Sequence, residues 1–317
     1  MRFSLVIPLH HDSAAFRVCL RHCLSLEHDD FEVIVVSDRL VELPDDPRLV
    51  FVLTGSATDT SPALKRDIAT AHATGRALAY LDDDAYPDPT WLSVAELALS
   101  EPGVKAVGGP GVTPPGSSLR CRAGGRVYAS VLGSGPLRYR FRPEAARVVD
   151  DFPAYNLIVA ADTVRQVGGW ASTFYGGEDT RFCEHLAEAG VMVHYRPDLV
   201  VFHHRRALFG PHMRQIANVG RHRGYFARVY PGTSLRPMYF APLIAVVALC
   251  MFVLLVLVAA GPVAALAVVA LGYLAAALMS GGGTLGERAL FPLGVFAHHT
   301  SYGVAFARGL VTRKMDR

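Results

Sequence analysis

Short apolar runs separated by amphipathic stretches open the chain. Phe3–Pro8, Leu49–Leu53 and Ala77–Leu81 are continuous or nearly continuous apolar segments, and Phe31–Val36 is rich in β-branched residues. Each reads as a buried strand. Helical periodicity falls between them, over Ala14–Leu24 and from about Ser61 to Ala73. Strands alternating with helices imply an α/β domain with a mostly parallel sheet covered on both faces. Ligands of such sheets bind beyond the carboxyl ends of the strands. Asp38 and the run Asp82-Asp83-Asp84 fall there.

The pattern changes near Tyr239. An uncharged apolar run continues to Ala260, Gly261-Pro262 breaks it, and a second run extends from Val263 to about Met279. The first is about as long as a bilayer core requires, and the second lies near the short end of that range. Arg221, Arg223, Arg228 and Arg236 precede the pair; Arg288, Arg308, Arg313 and Lys314 follow it, and the link carries no cation. Positive charge stays on the cytoplasmic side, so both ends are expected in the cytosol and the spans form a hairpin. The apolar stretch 289–310 is interrupted by Pro292, His298, His299 and Arg308, which suits an interfacial segment better than a third span. The expected organisation is a cytosolic domain over residues 1–236 and a membrane region over 237–317. The amino terminus reads as a first strand, too short for a signal peptide before His10, His11 and Asp12.

Composition narrows the chemistry only a little. The 317 residues carry a net charge of +3, with no basic arm of the kind that binds nucleic acid. The five cysteines are scattered; Cys19 and Cys23 lie about one helical turn apart, and no second pair completes a zinc site. Thiols in a reducing compartment are expected.

The three adjacent carboxylates carry more. Like charges at a strand end repel, and a divalent cation offsets them; hard oxygen ligands suit Mg²⁺ or Mn²⁺ bridging to a phosphorylated ligand. Alternation along an extended segment turns Asp82 and Asp84 to one side and Asp83 to the other. Taken alone, the cluster also fits a solvated acidic turn before Pro87 and Pro89. The segment after the first strand, Pro8-Leu9-His10-His11-Asp12, lacks the spaced glycines of a dinucleotide site, and no phosphate-binding loop of the glycine-lysine-serine kind occurs.

Several motifs in order resemble family-2 glycosyltransferases, which have the GT-A fold. They are the first strand ending at Pro8, Ser37-Asp38, the segment Ser61 to Asp67, Leu81 to Pro87 around the three aspartates, and Trp91-Leu92. Asn156, Val167-Gly168-Gly169-Trp170, Gly177-Glu178-Asp179 and Val200 to Arg206 complete the set. His11 and Asp67 depart from the asparagines common at those places. The resemblance spans Phe3 to Arg206 and implies a hexosyltransferase that uses a nucleoside diphosphate sugar and inverts the anomeric carbon.

The resemblance assigns roles. Asp84 holds the Mn²⁺ or Mg²⁺ ion, with Asp82 or Asp83 orienting the ribose or the metal's water and His203 as a further ligand. Asp38 recognises the ring N–H of uracil or guanine, and Pro8 lines the donor site. Lys65, Arg205 and Arg206 pair with phosphate oxygens, although the two arginines equally suit positive charge near a bilayer. Asp179 is the general base, and Glu178 points elsewhere, holding a neighbouring backbone or cation. Trp170 beside Gly169 either presents a flat face to a sugar or belongs to the core. The loop-rich middle around Gly124-Gly125 and Gly133 to Pro136 is where acceptor-contacting segments are expected.

The hairpin suggests a polyprenyl-linked acceptor. A polyprenyl phosphate is already anionic and needs no base, so the Glu178-Asp179 pair favours a sugar hydroxyl on a polyprenyl diphosphate-linked sugar; the alternative is a polyprenyl-phosphate monosaccharide synthase. His298 to Gly303, followed by Phe306 and Gly309, also resembles bacterial exopolysaccharide glycosyltransferases of this family, which places the protein at a bacterial inner membrane. The Gln-x-x-Arg-Trp motif of processive synthases is missing. A non-catalytic sugar-nucleotide-binding subunit of a membrane assembly is the reading from another class.

Overall fold

The computed structural model describes residues 1–172, 174 and 176–315. The chain divides into two compact units, the first formed by residues 1–112 and 139–204, the second by 113–138 and 205–315.

The first unit is built on an eight-stranded sheet. Its strands are β1 (Phe3–Leu9), β2 (Phe31–Ser37), β3 (Leu49–Leu53), β4 (Ala77–Tyr80), β6 (Ala106–Gly108), β8 (Arg147–Val149), β9 (Leu157–Ala160) and β10 (Val193–Tyr195), in the order β3-β2-β1-β4-β9-β6-β10-β8. From β3 to β4 the neighbours are parallel, as the alternation of strands and helices predicts. Strand β9 then enters antiparallel to both β4 and β6. A small second sheet joins β11 (Val201–His203) to β5 (Ala85–Pro87) and β7 (Gly111–Val112), which brings the aspartate run against His203.

Helices α1 (Ala14–Leu24), α2 (Pro62–His72), α3 (Trp91–Leu99), α6 (Ala161–Gln166) and α7 (Glu178–Glu188) complete this unit. Ser13 and Ser61 cap α1 and α2 by accepting from the amides of Phe16 and Leu64. The core is continuous from Phe3, Leu5 and Ile7 through Phe16, Val33 and Val35 to Trp91 and Ile158.

The second unit is helical: α4 (Leu119–Ala129), α5 (Val131–Ser134), α8 (Gly210–Val229), α9 (Pro231–Ser234), α10 (Pro237–Met279) and α11 (Leu285–Val311). Two expectations are corrected here. The segment around Gly124-Gly125 is helix rather than loop, and its glycines serve close packing: a side chain at Gly125 would collide with Thr113 Oγ1 and one at Gly124 would press on His212 Nδ1. The compact units also do not part at residue 236. Helix α8 belongs with α11, because their backbones touch: a Cβ on Gly220 would lie 2.5 Å from the Tyr302 carbonyl, and one on Gly224 2.1 Å from that of Phe306.

Helix α10 is the one described helix long and apolar enough to cross a membrane, by length and composition. Gly261 interrupts it with φ 80° and ψ 176°, at the glycine-proline step seen in the sequence. The first half meets α11 where Leu243 lies against Gly303 and Phe240 packs edge-on to Phe306; the second meets it where the Tyr273 hydroxyl donates to the Ala289 carbonyl.

Candidate active site

Three side chains converge at the carboxyl end of β4. Ligand atoms of Asp82, Asp84 and His203 all lie within 4.8 Å of one another, and His203 Nε2 is 3.0 Å from Asp84 Oδ1. Adjacent ligands of an octahedral ion with bonds of about 2.1 Å sit about 3 Å apart, so this edge already has the spacing a small divalent cation needs. Two carboxylates and one imidazole suit Mn²⁺ or Mg²⁺ in kind. Desolvation pushes the Asp82 carboxyl up, Arg66 pulls it back down, and Asp84 adds a further upward push. A cation would relieve that repulsion. Asp83 turns the other way, where its carboxylate accepts from the His10 amide at 2.9 Å.

Helix α2 supports this cluster through consecutive residues. The buried Arg66 guanidinium donates to Asp82 Oδ1 at 2.8 Å and to Glu178 Oε1 at 3.3 Å, and it lies 4.5 Å over the Trp170 ring. Glu178 also accepts from the Gly176 amide at 2.8 Å, so it holds both a backbone and a cation. Asp179 accepts from the following amide, Thr180, at 2.8 Å, in the first turn of α7. Arg66 lies within the Ser61–Asp67 segment, where the resemblance assigns it no role; the signal for one is an arginine on the apolar face of a helix, which stays buried only with carboxylate partners.

Asp67 shapes the segment before α7. Its two oxygens accept from the amides of Trp170 at 2.7 Å and Ala171 at 3.1 Å. The carboxylate gives each donor its own oxygen, where an amide side chain would offer a single oxygen to both. Gly169 makes room: its φ is +76°, and a Cβ there would lie 2.5 Å from Asp67 Oδ1.

Two sugar-contact expectations therefore change. Gly169 serves backbone geometry. Trp170 is fully buried, stacked on Phe182 at 4.3 Å and edge-on to Tyr80, with Arg66 over its ring, so no face remains for a sugar. Lys65 changes as well. Its ammonium is buried, 2.7 Å from Asp38 Oδ2 and 2.7 Å from the Leu9 carbonyl, and is committed to these rather than to phosphate.

Asp38 is held by four donors: Lys65, the Thr54 hydroxyl at 2.7 Å, and the Thr60 hydroxyl and amide at 2.8 and 3.0 Å. Burial alone would raise its pKa, but these bonds outweigh it and hold the carboxyl well below the usual range. Pro8 lies in the buried β1 beside these groups. Arg205 and Arg206 belong to the second unit, where the Arg205 guanidinium lies 5.4 Å over the Tyr128 ring. Asn156 and Trp91 form a strut, the indole donating to Asn156 Oδ1 at 2.8 Å while its amide donates to the Leu199 carbonyl at 2.7 Å.

This architecture is a GT-A-like α/β fold with its acidic cluster at the strand ends. Mannosyltransferase PcManGT from Pyrobaculum calidifontis, solved with GDP-Man and Mn²⁺, superposes with a TM-score of 0.56 at 19% identity, over 99% of this chain and 88% of that one. GalNAc-T7, solved with UDP, GalNAc and Mn²⁺, gives 0.51 at 13% identity, over 75% and 52%. At these identities the likeness is one of fold.

Residues 4–155, a little under half of the chain, match Glycosyl transferase family 2 and form a glycosyltransferase domain of that kind. It is 28% identical over 145 residues to the pre-mycofactocin glycosyltransferase of Mycobacterium tuberculosis, covering 46% of this chain and 30% of the relative. The chain thus matches less than a third of that relative's length. Glycosyltransferase AglE of Haloferax volcanii is 24% identical over 232 residues, covering 69% and 71%.

Proposed function

We propose that this protein is an inverting, metal-dependent glycosyltransferase that moves a sugar from a UDP- or GDP-sugar to a hydroxyl of a polyprenyl diphosphate-linked sugar. The observation that carries the reading is the gathering of Asp82, Asp84 and His203 beside the Arg66–Glu178 pair that leads into Asp179. Asp82, Asp84 and His203 would hold a divalent ion, which would supply neutralising charge for a diphosphate leaving group. Asp179 accepts the proton as the acceptor hydroxyl attacks the anomeric carbon. The bond from that carbon to the diphosphate oxygen breaks, and the nucleoside diphosphate leaves with the electron pair. Arg66 keeps Asp82 and Glu178 in place. Mn²⁺ and GDP-Man in the Pyrobaculum protein, and UDP in GalNAc-T7, support a nucleotide-sugar donor without choosing between bases.

The membrane part of the reading is a hairpin with both ends in the cytosol, at a bacterial inner membrane. Leu243 and Tyr273 are thirty residues apart, about 45 Å along a straight helix. Their partners on α11, Gly303 and Ala289, are fourteen residues and about 21 Å apart. A return of the helix at Gly261 reconciles the two lengths.

The deciding assay follows sugar release and transfer by detergent-purified protein with UDP- and GDP-sugars and Mn²⁺ or Mg²⁺. Acceptors are polyprenyl phosphate and a polyprenyl diphosphate-linked sugar. Product only on the sugar-bearing lipid supports chain extension. Product on bare polyprenyl phosphate makes the protein a lipid-phosphate sugar synthase, and no turnover of any donor makes it a binding subunit.

A further inference from the structure

The chain's small net charge conceals a separation. The second unit carries fifteen Arg and Lys residues against a single acid, Glu287, whereas the first carries fifteen against twenty-six. Glu287 itself is buried and neutralised by Arg122 and Arg126 on α4, each 2.5 Å away. The second unit therefore shows outward charge of one sign only.

Two stripes organise that surface. On α11, positions Leu285, Ala289, Leu293, Phe296, Thr300, Val304, Ala307 and Val311 recur at three- and four-residue steps and form one open, apolar face along the helix. Its one hydroxyl, Thr300, donates to the Phe296 carbonyl within the same helix, so the stripe presents no unmet donor to hydrocarbon. On α8, Arg214 and Arg221 stand exposed seven residues apart with Asn218 between them, away from the buried stripe of His212, Ile216, Gly220 and Gly224, and Arg228, seven residues further, is exposed but tied to the end of α11.

The two helices run parallel and side by side. Gly220 lies against Tyr302, Gly224 against Phe306, and the Arg228 guanidinium donates to the carbonyl of Thr312. If α11 lies in the plane of the interface, α8 lies along it too. Arg308 in the last turn of α11, and Arg313 and Lys314 just past its end, extend the positive charge, all of them exposed.

We propose that the arginine ladder of α8 is a seat for anionic phospholipid headgroups, held beside a lipid-immersed α11. Charge complementarity selects the occupant: an exposed, single-sign, cationic row parallel to an apolar stripe fits the border between acyl chains and an anionic headgroup layer. The inference rests on the membrane reading above and adds to it a preference for lipid charge.

The test uses the full chain in nanodiscs of phosphatidylcholine mixed with phosphatidylglycerol, with the lipids retained on extraction counted by native mass spectrometry. Retained phosphatidylglycerol should exceed its share of the mixture. The excess should fall about fivefold for each arginine removed in Arg214→Gln and Arg221→Gln, and fall with salt. Equal retention of both lipids, or an excess that the substitutions leave unchanged, overturns the proposal. So does displacement of the excess by polyprenyl diphosphate at equimolar amounts, which assigns the ladder to the acceptor. A fluorescent label on Val304→Cys is read in parallel. Its entry into lipid in neutral nanodiscs shows that the membrane reading stands even when the headgroup preference fails; its exposure to water in both lipid mixtures overturns both.

Discussion

Asp179 and Glu178 share a helix turn but differ in their partners. Glu178 is committed to Arg66 and the Gly176 amide, which leaves Asp179 as the proposed base. Replacing Asp179 by Asn should leave donor binding nearly intact while turnover on a sugar acceptor falls by about 10²–10⁴. Near-normal turnover in that variant sinks the hydroxyl mechanism. Arg66 makes a different prediction. Arg66→Met strips one partner from a buried ion pair and should cost about 3–5 kcal/mol, read as a lower thermal midpoint, together with weaker metal-dependent donor binding. Arg66→Lys keeps the charge but loses the two-armed reach to Asp82 and Glu178, and should recover stability better than binding. That Asp82 and Asp84 point to one side and Asp83 to the other was legible, because the carboxylates are adjacent and alternate. The burial of Trp170 and Lys65 was not legible, since a tryptophan or lysine beside a motif looks the same in sequence whether it faces a ligand or Phe182 and Asp38.

Among the elements, β1 to β4, α1 and α2 follow the sequence pattern to within a residue or so, because each is a long apolar or periodic run. The two-residue β7 and three-residue β5 and β11 are too short to show a period, and they are what bring His203 to Asp84. Helix α4 was hidden by its paired glycines, which serve close packing rather than a turn. Where α4, α8 and α11 meet, His212 Nε2 and His298 Nδ1 are 3.0 Å apart and buried. Burial pushes the His212 pKa down to about 4, with the Arg205 charge adding to it, and burial beside His212 and His299 pushes His298 well below its ordinary value. Both rings are therefore neutral in the fold at pH values where the unfolded chain already binds protons. Stability is full above about pH 6.5 and falls as pH drops toward 4. His212 alone accounts for a loss on the order of 3 kcal/mol. Thermal unfolding in detergent across that range should show the decline, and His212→Asn should flatten it. A midpoint that ignores pH between those limits contradicts the buried neutral pair.

For the whole molecule, two averages misled the eye. A net charge of +3 is the sum of opposite imbalances in the two units. A sharp change of hydropathy at Tyr239 marks where apolar sequence begins, yet the second unit also recruits residues 113–138 and 205–236 by helix packing. The proposed hairpin carries its own prediction. Val263, just past Gly261 and 80% exposed, should react as Val263→Cys with a membrane-impermeant maleimide only from the face opposite the catalytic domain. Reaction from the cytosolic face, or from both, means that the long helix does not turn inside the bilayer.

Lys65, Arg66 and Asp67 occupy one turn of α2 and reach, respectively, Asp38, the Asp82–Glu178 pair and the amides after Gly169. Three regions far apart in the chain are thus hung on three successive codons. A single-residue insertion or deletion just upstream would rotate this turn by about 100° and unhook all three at once. Lineages descended from this sequence can experiment with loop lengths around Gly169 or Asp38 one at a time. They cannot shift the frame of α2 without losing every attachment together, which makes that turn the slowest place for this protein to change.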